Sequence, residues 1–276
     1  MGPFETELRR FHALDWRSCV RALDTSLAID RRHSSGLEMS PPSIITGDPF
    51  ALEPGRCILV VGINPGWPNA EMQKTDCVPA HQAWESGFDG YRTHRRVYFQ
   101  EMTGEPGRTK NADPRYNGRH FSRLGNTLAR ALGVAHEHWD AGANARQFFR
   151  QRAAILDLIP YWSRNTKNLN LAAALQKDCI RQWCEVVSAF IREKRPQIIV
   201  VNNRGEPVVI NGMLGCEIAP VAGVGLLGGR TGADNLATPV LAHPFLSRWR
   251  ITRQTYIEQF TEALRILGVP RPILGP

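Results

Sequence analysis

The sequence reads as an α/β protein, a doubly wound three-layer α/β/α fold on a short, mainly parallel central sheet. Two observations predict it. Four short apolar runs each stop at a turn or polar residue, the form of strands buried on both faces of a parallel sheet. Between the runs lie segments with helical spacing of apolar residues, and strands that alternate with helices imply crossover connections.

Taken in order, residues 1–35 form an amphipathic helical stretch, with Leu8, Phe11, Leu14 and Trp16 among charged residues. A Pro/Ser loop at Ser40, Pro41 and Pro42 closes this N-terminal helical extension, residues 1–45. Cys57-Ile-Leu-Val-Val61 is the first strand and opens into Gly62-Ile-Asn-Pro-Gly66. Residues 84–120 are long and polar, and they read as a basic insertion. A helical period resumes over residues 121–132. Ala153-Ala-Ile-Leu-Asp-Leu-Ile159 is the second strand, ended by Pro160. Residues 179–194 are helical, Gln197-Ile-Ile-Val-Val201 is the third strand, and Thr238-Pro-Val-Leu-Ala242 is the fourth. A helix over residues 252–267 closes the chain. With no repeat and no clear linker, residues 1–276 read as one domain.

Bulk properties narrow the partners. The net charge of +8 favours a polyanion, although charge alone does not name one. No apolar run approaches the ~20 residues that span a bilayer. The N-terminus lacks the basic and apolar regions of a signal peptide. A monomer in the cytoplasm, without a membrane partner, is the expectation. The six cysteines are scattered with no C-x-x-C pair, so neither a disulfide framework nor a metal site is expected. His136 and His138 form an H-x-H fragment without a third ligand nearby, and an exposed helix start explains it as well. The expectation is no metal and no organic cofactor.

Ligands of open parallel sheets bind outside the carboxyl ends of the strands. Three strand ends carry residues suited to a site: Asn64 after the first, Asp157 within the second and His243 after the fourth. Each alone has a plain structural reading, as turn former, ion-pair partner or loop histidine. At one sheet edge together they suggest a site.

Gly62-Ile-Asn-Pro-Gly66 at the end of an apolar strand resembles the first motif of the uracil-DNA glycosylase superfamily, in its mismatch-specific and single-strand-selective branches. His243-Pro-Phe-Leu-Ser-Arg248 is similar to the second motif, and Asp157-Leu-Ile-Pro160 stands where the single-strand-selective branch has N-L-x-P. The resemblance implies an enzyme, a monofunctional glycosylase that flips a base from DNA and hydrolyses its N-glycosidic bond. It implies that Asn64 positions the attacking water and that His243 donates to the base O2 as negative charge develops there. Asp157, with Gly62, Ile63 and Trp67, falls at the base-recognition positions. Leu246 is the implied wedge, while Pro65, Gly66, Ser247 and Arg248 fall at backbone-contacting positions.

Three departures from the family shape the expected substrate. The second motif is one residue short, with Phe245 where a serine is usual. No aromatic falls in register after the first motif to stack on the base; Trp67, Trp84 and Phe88 are possible substitutes. Most informative, the family reads uracil with an asparagine, and this chain has Asp157 there. An ionised carboxyl repels O4 of uracil but accepts from the N4 amino group of cytosine, and a protonated one matches cytosine N3 and N4. A cytosine-type base is therefore expected. Because release of ordinary cytosine would damage the host chromosome, a 5-modified cytosine of phage DNA, hydroxymethylated or glucosylated, fits best and suggests a bacterial antiviral defence role.

The segment Tyr91-Arg-Thr-His-Arg-Arg-Val-Tyr-Phe99 interleaves Arg92, Arg95 and Arg96 with aromatics, which suits DNA backbone contact. A solvated insertion is the plain alternative. Competing functions are excision of uracil or a deaminated base in ordinary repair, and a non-catalytic nucleic-acid-binding relative. The Gly-rich run Gly223-Val-Gly-Leu-Leu-Gly-Gly-Arg-Thr-Gly232 lacks G-K-S/T and reads as a loop rather than a phosphate cradle.

Overall fold

The computed structural model describes residues 1–27, 40–46, 48–63, 78–102, 125, 127–133, 152–163, 170–202, 207–232, 237–243 and 252–269. Within them the chain forms helices α1 (Pro3–His12) and α2 (Trp16–Leu27), strand β1 (Ile58–Gly62), and helices α3 (Val78–Glu85) and α4 (Phe88–Met102). Residues 127–131 are helical. Strand β2 (Ala153–Asp157), helices α5 (Leu171–Ala174) and α6 (Asp178–Lys194), strand β3 (Ile199–Val201) and helix α7 (Pro207–Leu214) follow. Strands β4 (Ala219–Pro220), β5 (Leu227–Arg230) and β6 (Pro239–Ala242) precede helix α8 (Arg253–Ile266).

The six strands make one mixed sheet in the order β2-β1-β3-β6-β5-β4. The four strands expected from the sequence pair in parallel at its centre and one edge, β2 to β1, β1 to β3 and β3 to β6. The chain starts in β1, moves outward to β2, then returns across β1 to β3. The next strand after β1 therefore lies on one side of the β1–β3 pair and the next parallel strand after β3 on the other, so the strand order reverses between β1 and β3, the switch point of an open sheet.

Alternate residues of the strands feed two separate cores. Leu59, Val61, Ile63, Leu156, Ile199, Val201 and Ala242 pack with α1, α2, α6 and α7. Ile58, Val60, Ala153, Ile198, Val200 and Leu241 pack with residues 128–132 and with Tyr256, Phe260 and Leu264 of α8. The period of two along a strand produces this division. Helix α6 shows the matching helical period: Cys179, Ile180, Trp183, Val187, Phe190 and Ile191 are buried on one side.

Three sequence expectations need correction. The N-terminal stretch is two helices separated by Ala13–Asp15, and it belongs to the core: Phe4, Leu8 and Phe11 are buried, with Phe11 against Trp183 at a 5.0 Å ring separation. The supposed insertion begins as α3 and α4, whose Trp84, Phe88 and Tyr91 are buried in the same core, so its aromatics serve packing up to residue 91. The Gly-rich run contains β5, which pairs antiparallel with β4 on one side and β6 on the other and extends the sheet beyond the four expected strands. Glycine is required there because a Cβ on Gly229 would collide with the Glu217 carbonyl oxygen of the neighbouring chain segment.

Candidate functional site

Strand register assembles the site. Gly62 pairs with Asp157 across β1 and β2. The ladder continues one residue beyond β3 and β6: the Asn202 amide donates to the Val61 carbonyl at 2.8 Å, and the His243 amide donates to the Val201 carbonyl at 3.0 Å. Beyond β2, the Leu158 and Ile159 amides donate to the Gly62 and Ile63 carbonyls at 2.9 and 2.8 Å. Asp157, Gly62, Asn202 and His243 thus form a lateral row in the order β2, β1, β3, β6. Each occupies the strand parity of Ile155, Val60, Val200 and Leu241, so all four belong to the side of the sheet packed by α8. The row lies at the carboxyl edge, across the switch point between β1 and β3.

Gly62 leaves a gap in this row, and the Asp157 carboxyl fills it. Its Oδ1 occupies the space that a Cβ on residue 62 would need. The carboxyl therefore leans inward over β1, toward Asn202. The end of β2 is held from the opposite side by Trp183 of α6, whose Nε1 donates to the Asp157 carbonyl at 2.7 Å. Asp157 is partly exposed as a residue, but its carboxyl is enclosed, and burial pushes its pKa up to about 7. Both protonation states are consequently populated near neutral pH.

His243 is fully buried and Asn202 is 6% exposed. The His243 ring meets the edge of Tyr256, in the first turn of α8, with centroids 5.5 Å apart at 77°. Thr252 caps that helix by accepting from the Thr255 amide at 3.1 Å, which fixes the turn that carries Tyr256. The imidazole is therefore set by packing on one side and by the ladder on the other.

The structure brings Gly62, Asp157 and His243 of the expected site into one row, whereas Ile63, the next residue after Gly62, is buried in the core on the opposite face of the sheet. Asn64, Pro65, Gly66 and Trp67 lie outside the described residues, as do Leu246, Ser247 and Arg248. His136 and His138 are also outside them. Sequence reasoning missed Asn202. The signal was present, since Asn202 directly follows the third apolar run, as the other polar residues follow theirs.

The three arginines of α4 have separate fates. Arg92 lies over the Phe50 ring at 3.8 Å and 3.6 Å from the Glu5 carboxylate. Arg95 is buried, with Nε donating to the Ile45 carbonyl at 3.1 Å. That bond helps fasten residues 40–46, which cross the outer edge of β2 through a bridge from Thr46 to Ile155. Arg96 is exposed. Arg95 is therefore engaged inside the fold, holding residues 40–46, whereas Arg92 packs on Phe50 with part of its side chain exposed.

Among the described residues no helix is long and apolar enough to cross a membrane. Compared with known protein families and with curated proteins, the chain matches no family model and no curated protein.

Proposed function

We propose that this chain is a DNA glycosylase of the uracil-DNA glycosylase type, acting on a cytosine-type base flipped from DNA. The observation that carries the reading is the row at the carboxyl edge, where strand register sets a carboxyl at the end of β2 and an imidazole at the end of β6, on either side of β1 and β3. The two cores on opposite faces of the sheet suit the three-layer doubly wound arrangement on which such a site is built.

In this reading the base enters between Asp157 and His243. Asp157 accepts from its N4 amino group in either protonation state, because the neutral acid keeps a carbonyl oxygen. His243 donates to O2 as the glycosidic bond breaks and charge collects on the departing base. Asn64, one residue beyond Ile63, holds the water that attacks the sugar; a carboxamide orients that water but is too weak a base to deprotonate it. The bond hydrolysed is C1′–N1: the base leaves with the bonding pair, the water supplies the new hydroxyl at C1′, and the proton that water loses ends on the departing base, giving a neutral base and an abasic sugar. A 5-modified cytosine of phage DNA remains the substrate that reconciles this chemistry with an undamaged host chromosome. The basic balance of the chain, +8, favours the DNA partner.

The test is direct. Oligonucleotides and phage DNAs carrying cytosine, 5-hydroxymethylcytosine, glucosylated 5-hydroxymethylcytosine or uracil are incubated with the protein and then treated with alkali. Strand breaks at the cytosine-type positions support the reading. Intact strands in every case refute it.

A further inference from the structure

The row contains a fourth position that the proposed chemistry has not used. Asn202 stands between Gly62 and His243, 6% exposed, at the end of β3 and at the point where the strand order reverses. Neighbouring strands lie about 4.8 Å apart, so Asp157 and His243 are separated by three strand spacings, too far for their backbones to grip one ring. The side chains must converge. Asp157 does so by leaning over Gly62, and Asn202 is the next residue of the row beyond Gly62.

We infer that Asn202 is a specificity-determining residue that reads N3 of the flipped base, between an Asp157 that reads N4 and a His243 that contacts O2. The inference rests on the glycosylase reading and sharpens its substrate. Along the row the groups run carboxyl, carboxamide, imidazole. Along the cytosine edge the atoms run N4 amino, N3 acceptor, O2 acceptor. The two orders correspond: the carboxyl accepts, the carboxamide N–H₂ donates, and the imidazole N–H donates. Uracil presents O4 acceptor, N3–H donor and O2 acceptor. It would need the Asn202 amide turned round and Asp157 protonated at the same time. With the Asn202 amide held with its N–H₂ toward N3, the row discriminates at two adjacent atoms, and reading by Asp157 alone would discriminate at one. A residue with both donor and acceptor is the type this middle position needs, since its amide must also suit a polar neighbour on either side.

The experiment deletes one atom of the base and one side chain of the protein, singly and together. Single-turnover release is measured from matched oligonucleotides carrying 5-hydroxymethylcytosine or its 3-deaza analogue, in which N3 is replaced by C–H. The proteins are wild type, Asn202→Leu and Asn202→Asp, with thermal unfolding checked for each. In wild type, loss of N3 should slow release by tens-fold or more relative to the same loss in Asn202→Leu. Asn202→Asp, near in size but accepting only when ionised, should slow the cytosine-type substrate and spare or improve uracil, whose N3–H it accepts. If loss of N3 costs wild type and Asn202→Leu equally, the inference is overturned while the glycosylase reading stands. Should Asn202→Leu fail to fold, Asn202→Asp decides, and an unchanged ratio of cytosine-type to uracil release would overturn it. A wild type that releases no base from any oligonucleotide removes the proposed function itself, a different result from either.

Discussion

The carboxyl of Asp157 stands where a side chain on Gly62 would begin. The two residues are register partners in β2 and β1, so the missing Cβ of one makes room for the functional group of the other. Gly62→Ala should push the carboxyl out of the row, because the atom in conflict is the end of a short side chain rather than backbone. The fold should survive and the proposed base release should fall by about 10²-fold, the scale on which one preorganised contact acts. In an Asp157→Gly background, Gly62→Ala should cost almost nothing further, and a double-mutant cycle measures that coupling. Additive effects would mean that the two residues do not share this space.

Asp157 also carries a signature in pH. Its folded-state pKa, about 7, lies above the ordinary value of 3.8, so the native protein holds an extra proton between those values. The stability contributed by the neutral carboxyl is complete below 3.8 and is lost as pH rises to about 7. Asp157→Asn should remove that slope, making the variant the more stable protein at pH 8 by a few kcal/mol. Unfolding midpoints of both proteins from pH 4 to 8 check it. The same titration predicts that discrimination against uracil sharpens above pH 7, where the proton needed to satisfy O4 is gone.

His12 should act in the opposite direction. Its ring stacks on Trp84 at 4.1 Å, and burial, followed by the nearby Arg9, holds its pKa below the ordinary 6.5. Stability tied to the neutral ring is present above 6.5 and falls as acid protonates it below that value. His12→Phe should flatten the acid limb between pH 6.5 and 5 while keeping the stack. An unchanged limb would assign acid sensitivity elsewhere.

Cys19 and Cys179 are free thiols that bring α2 and the first turn of α6 together beside Tyr161. The Cys179 thiol, with help from Tyr161, lowers Cys19 to about 7, while Cys179 is pushed up by the same contact and by burial. Cys19 is half-buried, so iodoacetamide should alkylate it first, with a rate midpoint near pH 7. Cys179→Ala should move that midpoint upward. Equal labelling of both cysteines at pH 7 would contradict the assignment.

The parallel core of the fold was legible because its strands are buried on both faces and appear as continuous apolar runs such as Ile58–Val61. Strand β5 was hidden because Gly228 and Gly229 were placed by close approach of neighbouring groups, which a hydropathy pattern does not record. Arg92 and Arg95 looked like solvent-facing cations in sequence. Their partners Glu5, Phe50 and Ile45 are distant in the chain, so only the fold could pair them. Asp157 and His243 were visible as strand ends, whereas their common face and the place of Asn202 between them required the register.

The central claim is that Asp157 reads the amino edge of a cytosine-type base, and one comparison tests it most directly. Single-turnover release is measured at pH 8 for wild type and Asp157→Asn on matched oligonucleotides containing uracil, cytosine, 5-hydroxymethylcytosine and its glucosylated form. Wild type should release the cytosine-type bases, above all the 5-modified ones, in preference to uracil. Asp157→Asn regains a donor for O4, so its preference should swing toward uracil by tens- to hundreds-fold, since each mismatched buried polar group costs about 1–3 kcal/mol. A wild type that prefers uracil, with the order unchanged in Asp157→Asn, would contradict the claim.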